Sequence, residues 1–298
     1  MKTRREFLQQ ATAVGIAPFA SFSPMERHNR PQSVIIIGAG LAGLVAAYEL
    51  MRVGHTVILL EARLRPGGRV HTLREPFSDG LYAEAGALFI PDHHELTLRY
   101  VRLFNLTLDR IPERGAARWY YLRGKRFRTR LSRNLPLDLT LEEQRMGPAG
   151  LWRHYIDSVL PEIGDPTLPG WPPKSLQKYD DMSFAEFLRT RGASADAVAL
   201  LRVSYLDLWG DGIEAISALG LLRDLALRRG ERRTYAIRGG NDLLPQAFAE
   251  RMKEQIHYGA VVTRVEQNAD GVRVFYRQAD KQRVITADRA ICAIPFSC

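Results

Sequence analysis

The stretch "SVIIIGAGLAGLVAAYELMRVGHTVILLEA", residues 33–62, passes through an apolar run, a glycine-rich turn, an amphipathic segment and a second apolar run. The first run, Val34 to Ile37, has no polar alternation, which is how a parallel strand covered on both faces reads. Gly38, Gly40 and Gly43 then make a GxGxxG spacing. The first glycine permits a tight turn, the second lets a pyrophosphate come close to the backbone, and the third lets helix and strand pack closely. A helix starting near Leu41 points free N–H groups and the positive end of its dipole at that pyrophosphate. Gly54 ends the helix, and "HTVILLE" forms the next strand with Glu61 at its carboxyl end, where a carboxylate accepts hydrogen bonds from ribose hydroxyls. Strand, glycine turn, helix and strand make a βαβ unit, and the acid at its end marks a dinucleotide site.

These residues leave NAD and FAD both open, because each carries an adenosine ribose and a pyrophosphate. The continuation "EARLRPGGRVHT", residues 61–72, narrows the choice. Gly67 and Gly68 let the backbone pass close to a bulky group, and Arg69 adds a fork of donors suited to phosphate. Such a loop suits a second pass over the pyrophosphate and has no evident task in a nicotinamide dehydrogenase. Together with "AEAGALFI" (83–90), "RGGNDLL" (238–244) and "AVVTRVEQNADGVRV" (260–274), in this order, the chain resembles the flavin-dependent amine oxidases, the family of monoamine, polyamine and L-amino-acid oxidases. The resemblance runs from about residue 31 onward and is weakest in the middle.

Carried onto this sequence, the resemblance implies FAD as cofactor. Gly38, Gly40, Leu41, Ala42 and Gly43 would cradle the pyrophosphate, and Glu61 would hold the adenosine ribose with Ala62 and Arg63 beside it. Gly68 and Arg69 would contact the pyrophosphate or the flavin side, Gly86, Ala87, Leu88 and Phe89 would run along the flavin ring, and Val262 would bind the adenine through its backbone. The implied reaction oxidises a carbon–nitrogen bond of a primary amine or amino acid. A hydride leaves the α-carbon of the neutral amine for the flavin, water hydrolyses the resulting imine, and oxygen reoxidises the flavin to give hydrogen peroxide. An apolar site would favour the uncharged amine by desolvation.

The sequence departs from the family pattern in two places. L-amino-acid oxidases typically carry an arginine for the substrate carboxylate at the fourth position of the segment matching "GALF"; here it is Phe89, which cannot make a bidentate carboxylate contact. The chain also stops at Cys298, right after the strand that in the family precedes the rest of the substrate domain, so the expectation is a truncated chain. Two alternatives therefore stand beside the amine oxidase: a desaturase or protoporphyrinogen-type oxidase of the same flavin fold, and a non-catalytic FAD-binding or partner-dependent subunit.

At 298 residues, 46% hydrophobic and 25% charged, the chain has the make-up of a globular protein of one large or two modest domains. Its net charge of +9 is scattered. The densest cluster, "RWYYLRGKRFRTRLSR" (118–133), reads as a hairpin turning at Gly124 with one solvated face, and no nucleic-acid module accompanies it. The N-terminus, with Arg4 and Arg5 followed by Phe7, Leu8 and a mildly apolar segment, resembles a twin-arginine export signal. The expected location is periplasmic or exported, with the cytoplasm as the alternative. That segment is too short and polar for a span of about 20 apolar residues. The two cysteines, Cys292 and Cys298, make no disulfide framework. "PDHHE" (91–95) reads as a loop or helix start, because adjacent imidazoles cannot converge on one ion.

The middle of the chain is predominantly helical. "HELTLRYVRLFNL" (94–106), "DAVALLRVSYLDLWGD" (196–211) and "ISALGLLRDLALRRG" (216–230) have helical spacing, and a proline-rich loop (161–175) separates two helical regions. Ser183 and Glu186 form a capping box, with Gly192 ending that helix. Trp152, Trp171 and Trp209 suggest an aromatic cage, although helical spacing favours the core. Asn241 is a plausible helix cap, "NADG" marks a hairpin, and "RAICAIPF" (289–296) reads as a last buried strand. The expected fold is α/β: a Rossmann-like FAD-binding domain with an inserted, largely helical substrate domain. Residues 1–30 would be signal and linker, 31–90 and 235–298 the two parts of the FAD-binding domain, and 91–234 the helical substrate domain. Expected partners are a small amine or amino acid and O2, with a homodimer possible.

Overall fold

The structure is a computed structural model that describes residues 30–111, 119–128, 135–205, 212–227 and 233–295. In chain order its first elements are strand β1 (Ser33–Ile37), helix α1 (Leu41–Arg52), strand β2 (Thr56–Glu61) and the short strands β3 (Thr72–Leu73) and β4 (Ala83–Glu84). Strand β5 (Ile90–Pro91), helix α2 (Glu95–Leu103), strand β6 (Leu108–Ile111) and the hairpin β7 (Trp119–Leu122) and β8 (Lys125–Arg128) come next. Among the described residues there follow the α-helices α3 (Leu141–Trp152), α4 (Leu160–Ile163), α5 (Gln177–Asp180), α6 (Phe184–Thr190), α7 (Ala195–Tyr205) and α8 (Ala218–Leu227). The chain then runs through β9 (Thr234–Ile237), α9 (Leu243–Arg251), β10 (Ile256–Tyr258), β11 (Val261–Asn268), β12 (Gly271–Gln278), β13 (Lys281–Ala287) and β14 (Arg289–Cys292).

The described residues divide into two compact units, the first lying within Met1–Leu88, Leu103–Leu106 and Ile237–Cys298, the second within Phe89–Arg102 and Thr107–Ala236. In the first, a four-stranded sheet of order β10-β2-β1-β14 has every pair parallel. Alternation along β1 sends Ile36 toward α1, where its Cγ2 lies near Gly43, and sends Ile35 and Ile37 to the other face. On that face the antiparallel meander β11-β12-β13 lays Val272, Val274 and Tyr276 against Ile35, Ile37 and Leu60. The unit is thus layered helix, parallel sheet, meander, which is why β1 contains no polar residue beyond Ser33. Full burial of a side chain such as Ile35 or Ile36 contributes about 2 kcal/mol. Tyr48 of α1, Phe104 and Phe248 of α9 form an edge-to-face triad with centroids 4.7 to 5.9 Å apart.

The second unit is mostly helical, with a small sheet of order β5-β9-β6 and the β7-β8 hairpin. The hairpin turns on Arg123 and Gly124, both at positive φ, in a loop that suits the twist of its strands; Arg118 and residues 129–133 of the basic cluster lie outside the described residues. Phe184, Phe187, Leu151, Ile156 and Leu221 centre its core. Trp152 and Trp171 are half-buried against this core, with their indole N–H groups donating to Asp157 and to the Ile163 carbonyl; Trp209 lies outside the described residues. Ser183 and Glu186 make the reciprocal bonds of a capping box at α6.

Two sequence expectations are corrected. The segment expected as a buried final strand is β14, which lies beside β1 at the sheet's outer position and leaves Arg289 and Cys292 exposed. Asn241 does not cap α9: the N-cap is Asp242, which makes no side-chain cap bond, and the Asn241 side chain turns elsewhere. His93 and His94 are exposed just before α2, their rings edge to face. Among the described residues no helix is long and apolar enough to cross a membrane. The twin-arginine segment and Cys298 lie outside the described residues, and the Cys292 thiol is free.

Candidate functional site

The first unit holds the candidate cofactor residues other than Phe89, most of them around the carboxyl ends of β1 and β2. Gly38 leaves the strand with its N–H donating to the Leu60 carbonyl at 2.8 Å, and α1 starts after Gly40 with no side chain capping it. The opening N–H groups of that helix, from Leu41, Ala42 and Gly43, therefore lack the partner an N-cap side chain supplies. A Cβ on Gly43 would sit 1.9 Å from the Gly38 carbonyl oxygen, so only glycine fits this crossing of helix and turn. A Cβ on Gly40 would meet nothing within 4 Å, leaving open the approach that a pyrophosphate needs.

Glu61 is buried at the end of β2. Its Oε2 accepts the Ala39 N–H at 2.7 Å and its Oε1 accepts the Arg63 N–H at 2.8 Å. A carboxylate has about four acceptor positions, so each oxygen keeps one for a ribose hydroxyl while the other end of the contact fixes the glycine turn. Ala62 and Arg63 are exposed beside it, and the Arg63 carbonyl accepts the Gly259 N–H at 3.1 Å. The next residue, Ala260, donates its N–H to the Glu61 carbonyl, so β11 begins alongside this corner, with Val262 half-buried near its start at a bulge in the β11-β12 pairing.

The loop after Arg63 folds back over the glycine turn. Gly67 donates its N–H to the Ala39 carbonyl at 2.8 Å, and an ideal Cβ on Gly68 would lie 3.3 Å from the Gly40 Cα. Arg65, absent from the sequence-based candidates, braces the loop from inside: its guanidinium donates to the carbonyls of Pro66 and Gly68. Burial, with Arg63 nearby, lowers its pKa. Arg69 is different. Its side chain is exposed and makes no hydrogen bond or ion pair among the described residues, and it follows directly on Gly68, whose ideal Cβ lies against Gly40.

The segment 85–88 is attached to the same loop. Ala85 donates its N–H to the His71 carbonyl and Ala87 to the Arg69 carbonyl. A Cβ on Gly86 would sit 1.9 Å from the Arg69 oxygen, which explains glycine there. Gly86 and Ala87 are exposed, Leu88 is half-buried, and Phe89, the first residue of the second unit, is 48% exposed. From the opposite edge, Asn241 donates to the carbonyls of Ala87 and Leu88, a link that sequence reading missed because Asn241 looked like a cap. Below it, Arg74 forms a bidentate pair with Asp242 at 2.8 and 2.9 Å. Burial pushes the Asp242 carboxyl up, but the Arg74 guanidinium and the Thr72 and Gln246 side chains prevail, so its pKa is lowered.

An uncapped helix start, an open face over Gly40, a buried carboxylate with spare acceptor capacity and a free arginine fit the phosphates and ribose of a dinucleotide. A sequence profile of flavin containing amine oxidoreductases matches residues 41–298. The chain belongs to this family. Its cofactor, as a flavin amine oxidoreductase, is FAD. It is 32% identical over 274 residues to an L-amino-acid oxidase of Demansia vestigiata, covering 90% of this chain and 51% of that protein. It is 34% identical over 273 residues to a putative L-amino-acid oxidase, YobN, of Bacillus subtilis (strain 168), covering 90% and 56%. The chain thus spans about half the length of these relatives. Among solved structures, cyclohexylamine oxidase from Brevibacterium oxydans IH-35A shares the fold with a TM-score of 0.69 at 23% identity, over 89% of this chain and 58% of that one. Putrescine oxidase bound to putrescine does so with a TM-score of 0.65, also at 23% identity and with the same coverage.

Proposed function

We propose that the chain is the FAD-holding part of an oxidoreductase that converts the C–N bond of a primary amine or amino acid to an imine, with O2 reduced to H2O2. The observation that carries this reading is the convergence, in one unit, of the glycine turn, Glu61, the Gly67 to Arg69 loop and the segment 85–88. Bound FAD would supply the two-electron acceptor for the substrate. Glu61 would accept the ribose hydroxyls, the N–H groups of Leu41, Ala42 and Gly43 would face the pyrophosphate, and Arg69 would neutralise its charge. Val262 would meet the adenine through its backbone, and Gly86, Ala87, Leu88 and Phe89 would line the flavin ring. Together with the largely helical second unit as substrate domain, this gives a Rossmann-like FAD-binding domain with a helical insertion.

Phe89 favours an amine without a carboxylate, since its ring offers no donor for one, while the sequence relatives are named for L-amino acids. The test is to load the purified chain with FAD and screen primary amines against L-amino acids for coupled release of ammonia and peroxide. Ammonia and peroxide together support the reading; flavin reduction without ammonia points to carbon–carbon oxidation instead. Export by the twin-arginine route belongs to the same proposal, and replacing Arg4 and Arg5 by lysine should hold the protein in the cytoplasm on cell fractionation.

A further inference from the structure

Asn241 sits where three chain segments meet, and every polar group of its side chain is used. It is 4% exposed. Its Oδ1 accepts the Ile237 N–H at 2.9 Å, and its Nδ2 donates to the carbonyls of Ala87 at 2.9 Å and Leu88 at 3.2 Å. Its own N–H donates to Glu84 Oε1 at 2.7 Å, while Glu84 Oε2 accepts from the Thr72 hydroxyl. The segment 84–88 is therefore tied along one edge to Asn241 and along the other, through Ala85 and Ala87, to His71 and Arg69.

Two successive carbonyls turned to one carboxamide fix two peptide planes. In a trans peptide the N–H points opposite to the C=O, so the N–H groups of Leu88 and Phe89 are turned away from Asn241. Two successive N–H groups turned to one side of a chain offer a pair of donors on the same side, to which negative charge is attracted.

We propose that Asn241 is a positioning residue for the cofactor: it orients the Ala87–Leu88 and Leu88–Phe89 peptides so that the Leu88 and Phe89 N–H groups are donors to an electron-rich edge of the bound flavin. The proposal rests on the FAD reading above. Donors at such an edge stabilise the charge that arrives on reduction, so they raise the flavin's midpoint potential. Aspartate is the informative replacement. It keeps the acceptor for Ile237 but sets a carboxylate oxygen against two carbonyls, which are then repelled.

The experiment compares wild type, Asn241→Asp and Asp242→Asn. The last breaks the Arg74 pair next door without touching residues 87 and 88, and so reports general weakening of the turn. Three quantities are read: the Kd for FAD, the midpoint potential of the bound flavin, and hydrogen exchange over residues 85–89 in the cofactor-free chain. Asn241→Asp should raise the Kd about tenfold, lower the potential and speed exchange in this segment. Asp242→Asn should lower the thermal midpoint but leave the potential at the wild-type value. Wild-type Kd and potential in Asn241→Asp, or equal changes in the two variants, would overturn the positioning role. A wild-type chain that retains no flavin would remove the FAD reading and this proposal with it, a failure visible before any substitution is made.

Discussion

Glu61 does two things at once, and its replacement separates them. Its buried carboxylate satisfies the Ala39 and Arg63 N–H groups and keeps acceptor positions for a ligand. Glu61→Ala leaves the buried Ala39 donor unpaired, at a cost of about 1 to 3 kcal/mol. It should also raise the Kd for FAD roughly tenfold or more, and isothermal titration together with urea unfolding measures both. Gly43→Ala is expected to be harsher on the fold, since the new methyl meets the Gly38 oxygen; a loss of about 2 to 3 kcal/mol in urea unfolding is the expected outcome. Both residues were legible in the sequence, because spacing alone ties a glycine to a crossing and an acid to a strand end. Asn241 was not: an asparagine before a helix looks like a cap, and only the folded chain shows that its carboxamide serves a segment some 150 positions away in sequence.

Elements were legible where their own pattern decides them. The βαβ unit, the Ser183 and Glu186 capping box and the "NADG" hairpin all follow from local residue order. Strands β9, β10 and β13 were not read, since β9 and β10 are short and β13, "KQRVITA", is half polar and acquires its pairing only from β12. In the second unit the decisive contact is also nonlocal. Glu143, in the first turn of α3, accepts from the Ser194 N–H beside α7, the Thr140 N–H and the Tyr155 hydroxyl. Burial opposes its charge, but these donors hold its pKa down, while burial and Glu143 together push the Tyr155 phenol up to about 12. Glu143→Leu strands these donors and should destabilise the second unit by about 3 kcal/mol, whereas Tyr155→Phe removes one neutral partner and should cost about 1 kcal/mol. Limited proteolysis and urea unfolding of the two variants distinguish these magnitudes.

At the scale of the molecule, the two units make the acid response readable. Asp242 in the first and Glu143 in the second both have pKa values below their ordinary range of about 4. A depressed folded pKa contributes stability that is complete above the unfolded value and is lost as pH falls through the folded one. The thermal midpoint should therefore hold from pH 7 to about 5 and fall below about 4, and Asp242→Asn should flatten its share of that fall. The one measurement that tests the central claim most directly is the visible absorption spectrum of the purified chain after saturation with FAD and removal of the free cofactor. Oxidised-flavin bands should remain at close to one FAD per chain, and should be clearly weaker in Glu61→Ala prepared the same way, as a Kd about tenfold higher requires. A folded, colourless wild-type chain, or bands that persist unchanged in Glu61→Ala, would contradict the account.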